Sequence, residues 1–229
     1  MMERPDIFLR KVSLFADLSE DDLKKVARLV RSRQYSKHEV IFHANDDGNA
    51  LFILKSGVVK ISMMDQEAHE VILKLLYPGD FFGEMALLDG QHRSATVTAV
   101  ERSESLVLER EAFLNILHQQ PELLLAMLLT VCRRLRQTDE KIRSLMFADA
   151  YGKVAETLLR LSNEKGERGG DGICIRLPFS SKELANLVGI TRQTLSRVMR
   201  EYQRAGVLRI AGRQIFIIDE ARLQREALG

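Results

Sequence analysis

The stretch Phe81-Phe82-Gly83-Glu84-Met85-Ala86-Leu87-Leu88-Asp89-Gly90-Gln91-His92-Arg93-Ser94-Ala95-Thr96 carries the residue types that hold a phosphorylated sugar. Gly83 lets backbone N–H groups approach an anion closely, because no Cβ stands in the way. Arg93, followed by the small residues Ser94 and Ala95, offers a planar fork of donors that matches phosphate oxygens in pairs. Glu84 would be repelled by the same anion, so its expected partner is a sugar hydroxyl. Any one of these residues alone would read as well as part of a surface ion pair on a hairpin. The ordered string, with Met85 and Ala86 inside it, points to a nucleotide held at ribose and phosphate.

A second constellation spans residues 180–205. Ser180 with Glu183 three later forms a capping box for a short helix through Leu184, Ala185, Leu187 and Val188. Gly189 permits a tight turn, and Thr191 can cap the next helix. In that helix Leu195, Val198, Met199 and Tyr202 make the buried face, while Arg192, Gln193, Ser196 and Arg197 fall on the opposite side near its start. Arginine pairs with guanine O6 and N7, and glutamine with adenine N6 and N7, so these types suit the major groove. Arg200 and Arg204 further along would lie nearer the phosphates. Residues 206–218 then read as two short strands around a glycine turn, a wing beside a helix-turn-helix.

The elements that must position these groups are legible in outline. Residues 18–31 read as a helix capped by Ser19, with Leu23, Val26, Ala27 and Val30 as its apolar stripe. From Gln34 to Leu108 short apolar runs alternate with glycines and acidic turns, the pattern of a rolled antiparallel sheet. After Pro121, Leu124, Leu128, Val131, Leu135, Thr138, Ile142 and Leu145 recur at alternating steps of 4 and 3. That 3.5-residue repeat is the seam of a left-handed coiled coil and predicts a parallel homodimer. A further helix runs from Asp149 to about Leu161, and residues 162–172 read as an exposed charged loop. The fold class is therefore α+β, in three parts: residues 1–120 a jelly-roll-like antiparallel β-roll, 121–148 a dimerisation helix, and 149–229 a winged helix-turn-helix.

Charge divides along the same lines. The 229-residue chain has a formal net charge of only +2. From residue 150 onward it carries 14 Lys+Arg against 9 Asp+Glu, whereas the remainder carries 20 against 23. The positive balance sits at the carboxyl end, where an anionic partner would dock. No apolar run approaches the roughly 20 residues of a membrane helix, and there is no signal-peptide core. Two cysteines, Cys132 and Cys174, make neither a disulfide framework nor a metal cluster, and a cytoplasmic protein is expected. His38, His43, His69, His92 and His118 form no ligand pattern, and no nucleophile–base pair, zinc spacing or catalytic carboxylate pair argues for an enzyme.

Residues 81–96 resemble the phosphate-binding cassette of cyclic-nucleotide-binding domains. From residue 8 to residue 220, the order of cassette, long helix and winged helix-turn-helix resembles the bacterial cyclic-AMP receptor protein and fumarate–nitrate reductase regulator family of transcription factors. The resemblance implies that Gly83 and Glu84 sit at the ribose and phosphate, and that Arg93, Ser94 and Ala95 hold the cyclic phosphate. It implies cyclic AMP as effector, with Thr138 at the adenine amino group, and neither metal, haem nor iron–sulfur cluster, since no cysteine precedes Cys132. It further implies a pseudo-palindromic double-stranded DNA operator, a homodimer, and RNA polymerase as a partner, with no membrane. Thr191, Arg192, Gln193, Ser196, Arg197 and Arg200 would form the DNA face. Two departures matter. Asp139 stands where the family's cyclic-AMP receptor has serine, which leaves a guanine cyclic nucleotide open, and a regulator active without effector is a further alternative. Gln193 replaces a glutamate, so the half-site should be related to TGTGA without having to equal it. The rival reading is a cyclic-nucleotide-binding subunit that acts on a protein partner.

Overall fold

The computed structural model describes residues 4–67, 69–170 and 172–228 and divides into two compact units. The first comprises residues up to 64 with 73–135, the second 65–72 with 136 onward.

The first unit opens with helices α1 (Pro5–Arg10) and α2 (Glu20–Leu29), and Ser19 accepts the Asp22 N–H to cap α2. The expected helix over 18–31 is shorter at both ends. Val30 turns to extended geometry, and Arg31 already begins strand β1 (Arg31–Tyr35). There follow in the chain β2 (Val40–Phe42), β3 (Ala50–Ser56), β4 (Val59–Met64), β5 (Glu70–Leu76, divided between the units after Ile72), β6 (Phe81–Phe82), helix α3 (Glu84–Asp89), β7 (Thr96–Ala99), β8 (Ser103–Glu109) and helix α4 (Arg110–Gln119). The strands form two four-stranded sheets, ordered β1-β8-β3-β6 and β2-β7-β4-β5.

The unbroken run Leu51–Leu54 is explained by burial on both faces of β3, since successive side chains point to opposite sides. Leu51 and Ile53 join Leu106 and Leu108 of β8 in a core beneath α1, α2 and α4, with Phe8, Phe15, Leu23, Val26 and Phe113. Phe52 and Leu54 face the other way, into a second core with Tyr35, Ile41, Val59, Phe82 and Val97 between the sheets. Helix α5 (Pro121–Phe147) starts with proline at its first position, where no N–H is required. Leu123 and Met127 fasten its first turns into the helix-covered core. Leu124, Leu125, Leu128, Leu129, Leu135 and Ile142 are each more than half exposed, and Val131 is 37% exposed. The side chain of Leu145 lies outside the described residues.

The second unit contains α6 (Ala150–Lys165), β9 (Glu167–Gly169), β10 (Gly172–Arg176), α7 (Ser181–Val188), α8 (Arg192–Arg204), β11 (Leu208–Ala211), β12 (Gln214–Ile217) and α9 (Glu220–Leu228). Its sheet is ordered β11-β12-β10-β9. Here the expected loop over 162–172 is corrected. Ser162 to Lys165 complete the last turn of α6, and Glu167–Gly169 pair antiparallel with β10 as a hairpin. Charged, exposed residues suit an edge strand as well as they suit a loop, so composition could not separate the two. No helix among the described residues is long and apolar enough to cross a membrane.

One cross-strand cluster in the first sheet should respond to acid. Glu104 accepts from Lys55 Nζ at 2.7 Å and from Ser32 Oγ at 2.7 Å. The Lys55 hydrogen bond, with help from Ser32, holds its carboxyl below the ordinary value of 4.5. A depressed folded-state value contributes stability above the unfolded value and loses it as pH falls through the folded one. Glu104→Gln should therefore unfold about 1 kcal/mol more easily at pH 7. That deficit should shrink in urea titrations below pH 4.5. A deficit of the same size at pH 3 would refute the assignment.

Candidate anion site and nucleic-acid interface

The cassette is built around a buried cation. After β6, Gly83 takes a left-handed conformation (φ 83°), which turns the chain into α3. Ala86 and Leu87 anchor that short helix in the interior. Arg93 returns to the same place from the other end of the cassette. Its Nη1 donates to Gly83 O at 2.6 Å and its Nη2 to Ala50 O at 2.9 Å. The guanidinium lies 4.4 Å from the centroid of the Phe42 ring and 5.6 Å from that of Phe52. The backbone of Arg93 is fastened too, by Asn45 N to Arg93 O and by Arg93 N to Asp46 O, each at 2.8 Å.

Only 5% of Arg93 is exposed. Burial pulls its pKa below the ordinary value, against the opposing charges of Glu84 and Asp46. The group stays charged at neutral pH, as arginine does in proteins. Close approach is enforced around it. A Cβ on Gly48 would stand 2.3 Å from Ala86 Cβ and 3.2 Å from the guanidinium carbon. A Cβ on Gly83 would stand 2.5 Å from Arg93 Nη1. Among the described residues Arg93 Nε is buried with no hydrogen-bond partner, an orphan donor that calls for an explanation such as a bound anion. A cation with an unused donor inside a glycine cradle fits a phosphate.

Glu84, also buried, does not face water. It accepts from Arg134 Nη1 of α5 at 2.5 Å, while Arg134 Nη2 donates to Phe81 O. The Arg134 guanidinium lies 4.8 Å from the Phe81 ring centroid. Arg134 lies in no motif that assigns it a role from the sequence. The signal was a carboxylate amid apolar residues, which requires a cation, and an arginine one turn before Thr138. Ser94 Oγ lies 3.7 Å from the exposed Met85 Sδ, and Ala95 is buried. The structure thus gathers Gly83–Ala86, Arg93–Ala95 and Arg134. Thr138 and Asp139 are exposed on α5, in the part of the helix that belongs to the second unit. Among the described residues no group of three or more His, Cys, Asp or Glu side chains could hold a metal ion.

In the second unit the helix-turn-helix follows its caps. Ser180 and Glu183 make the reciprocal capping box of α7, and Thr191 Oγ1 accepts from Thr194 N at 3.1 Å to start α8. Leu195, Val198, Met199 and Tyr202 are buried beneath α8. Thr191, Arg192, Gln193, Ser196, Arg197 and Arg200 are exposed, with Arg200 Nε donating back to Ser196 O at 3.1 Å. Strands β11 and β12 form the wing, where Arg209 stacks 3.9 Å from the Phe216 ring centroid. A helix fixed by one apolar face thus presents two arginines, a glutamine and a serine from its first two turns.

Known proteins share both parts. Residues 32–120 match the family model of the cyclic nucleotide-binding domain, and residues 152–226 that of the Crp-like helix-turn-helix domain. The cyclic AMP receptor protein of Thermus thermophilus is 33% identical over 216 residues, 94% of this chain and 97% of that protein. The CRP-like cAMP-activated global transcriptional regulator of Mycobacterium tuberculosis is 27% identical over 222 residues, 97% of this chain and 99% of that one. Among solved structures, a CooA mutant from Carboxydothermus hydrogenoformans superposes with a TM-score of 0.77 at 28% identity, covering 87% of this chain and 88% of its own. With a cyclic-nucleotide-binding domain and a Crp-like DNA-binding domain joined in this order, the chain belongs to the cyclic-AMP receptor protein and fumarate–nitrate reductase regulator family of transcription factors.

Proposed function

We propose that this regulator is a homodimer whose promoter binding is controlled by cyclic AMP. The observation that carries the effector reading is Arg93, a buried cation with an unpartnered Nε in a cradle of Gly48 and Gly83. Phosphate oxygens carry full charge and match the guanidinium in pairs, an ion pairing added to bonds that the ionised donor already strengthens. A cyclic phosphate can therefore outbid the carbonyls of Gly83 and Ala50 for the guanidinium. Ser94 and the backbone N–H of Ala95 would complete the anion's shell. Glu84, held by Arg134, would accept from the ribose hydroxyl, and Thr138 would meet the base. A guanine cyclic nucleotide is the second reading. It is favoured by Asp139, whose carboxylate matches the guanine N1–H and N2–H₂ donors.

Control of DNA binding is then a population shift. The nucleotide favours the state in which two copies of α8 enter successive major grooves, about 34 Å apart, and it does so only by its differential affinity for that state. Arg192, Gln193, Ser196 and Arg197 read base edges in a TGTGA-related half-site, with Thr191 and Arg200 at the backbone. Residues 1–120 sense, 121–148 pair the subunits and 149–229 bind DNA.

Calorimetry with cyclic AMP, cyclic GMP and cyclic di-GMP tests the effector. Saturable cyclic-AMP binding is expected, weakened by about 1.5–3 kcal/mol in Arg93→Ala, the worth of a charged hydrogen bond. Wild-type affinity in that variant would overturn the cassette assignment. Binding of a guanine nucleotide in place of cyclic AMP would shift the reading to Asp139.

Sedimentation tests the dimer. Leu128→Glu and Leu135→Glu should convert a dimer to monomers at micromolar concentration, because each places a charge in the apolar seam. A wild-type monomer, or a dimer indifferent to both changes, would remove α5 from the interface.

A further inference from the structure

The first turn of α6 reaches the recognition helix through one side chain. Tyr151 donates its hydroxyl to Glu201 Oε2 on α8, and its own backbone carbonyl accepts from Tyr202 Oη at 3.0 Å. The two tyrosine rings meet edge to face, with centroids 5.9 Å apart and planes at 86°. Tyr202 is buried, so this contact has a fixed base. Glu201 is exposed, and its carboxylate is held by a phenol that loses little entropy in holding it, since the ring is already packed.

Glu201 stands four residues after Arg197 on the same helix. Side chains at that spacing are neighbours and can pair, although cation before acid is the weaker of the two orders. In this structure that pair does not form, and Arg197 makes neither a hydrogen bond nor an ion pair among the described residues. The Tyr151 bond fills one acceptor site of the carboxylate and turns it toward α6, so it acts on Arg197 by direction and not by exhausting the acceptor. An arginine that reads guanine must bring both donors of its fork to O6 and N7. A carboxylate one turn away competes for the same donors.

We infer that Tyr151 is a positioning residue for DNA recognition: by holding the Glu201 carboxylate, it keeps Arg197 out of an intrahelical ion pair and available to a base edge. The inference rests on the reading that α8 enters the major groove. It concerns a residue outside α8 that no base would touch. Arg204, three residues beyond Glu201, is the other cation a released carboxylate could take, and it lies further from the base edges.

The test is a set of fluorescence-anisotropy titrations of the full-length protein with a selected operator and with single-base-pair variants of it. Tyr151→Phe keeps the ring and its packing on Tyr202, so its melting temperature serves as the folding control. Its dissociation constant should rise roughly twofold per recognition helix, hence about fourfold on an operator that engages two, the scale set by an exposed i,i+4 pair. The loss should fall on discrimination at the base pair that Arg197→Ala also blurs. Adding Glu201→Gln should restore both affinity and discrimination to Tyr151→Phe. In an Arg197→Ala background Tyr151→Phe should change nothing. Unaltered binding by Tyr151→Phe overturns the inference, as does an equal loss in the Arg197→Ala background, which would place the effect at Arg204 or in packing. If Arg197→Ala itself binds every operator variant like wild type, the DNA reading of α8 fails at that residue, and the role of Tyr151 falls with it.

Discussion

The first unit is organised around the burial of one charge. Taking a guanidinium out of water is costly even after relaxation, several kcal/mol per ion, unless its donors are satisfied. Two of the three Arg93 nitrogens are satisfied, and only by bringing distant segments to the guanidinium. The carbonyl of Gly83 comes from the start of the cassette, that of Ala50 from β3, and the Phe42 ring from β2. Each contact limits what its own segment can be. Gly83 must be in a left-handed turn to aim its carbonyl, Gly48 must lack a side chain, and Ala86 must be small. The double pairing of the Arg93 backbone with Asn45 and Asp46 fixes the loop after β2. The two sheets thus meet at a site whose geometry follows from hydrogen-bond requirements more than from shape.

A second buried pair ties α5 into that frame. Glu84 and Arg134 are both largely shielded, with side chains 4% and 21% exposed, so removing either partner would strand a charge. Leu123, Met127 and Arg134 are spaced by four and seven residues and share one face of α5. The seam Leu124, Leu128, Val131 and Leu135 is the same pattern displaced by one residue, roughly 100° around the helix. One face is committed to its own unit and the adjacent one is left apolar and exposed. Any movement of the cassette carboxylate therefore acts on the helix that presents the seam.

What the sequence made legible follows from how local the cause is. The capping box at Ser180 and Glu183, the Thr191 cap and the apolar face of α8 depend on residues within one or two turns, and all were readable. The run Leu51–Leu54 was readable as a strand, though its burial on both faces came from helices folded over it. The pairing of β9 with β10 was not readable, because β9 is three exposed residues whose composition suits a loop equally well. The cassette motif singled out Arg93 as the expected phosphate donor but gave no hint of where its fork points. Its acceptors are a carbonyl ten residues back and another 43 residues away. Arg134 was missed for the same reason: its partner is 50 residues distant, and a lone arginine beside a heptad seam is ordinarily solvated.

The inward fork also changes what ligand affinity means at this site. An anion would not meet a waiting donor pair; it would compete with two carbonyls already at hydrogen-bond distance. The gain is the difference between a charged and a neutral acceptor for the same ionised donor, together with the use of Nε, and not the full worth of either. The released carbonyls of Gly83 and Ala50 must find water or ligand donors, or their desolvation penalty is charged against binding. Gly83 begins α3, and Ala50 begins the strand whose neighbours are β6 and β8, so satisfying those carbonyls moves backbone as well as side chains. A site in which the cation is already paired binds its anion less tightly than an open one would. An anion bound as proposed would have to rearrange the frame in taking the fork, and that coupling is what the proposed sensing requires.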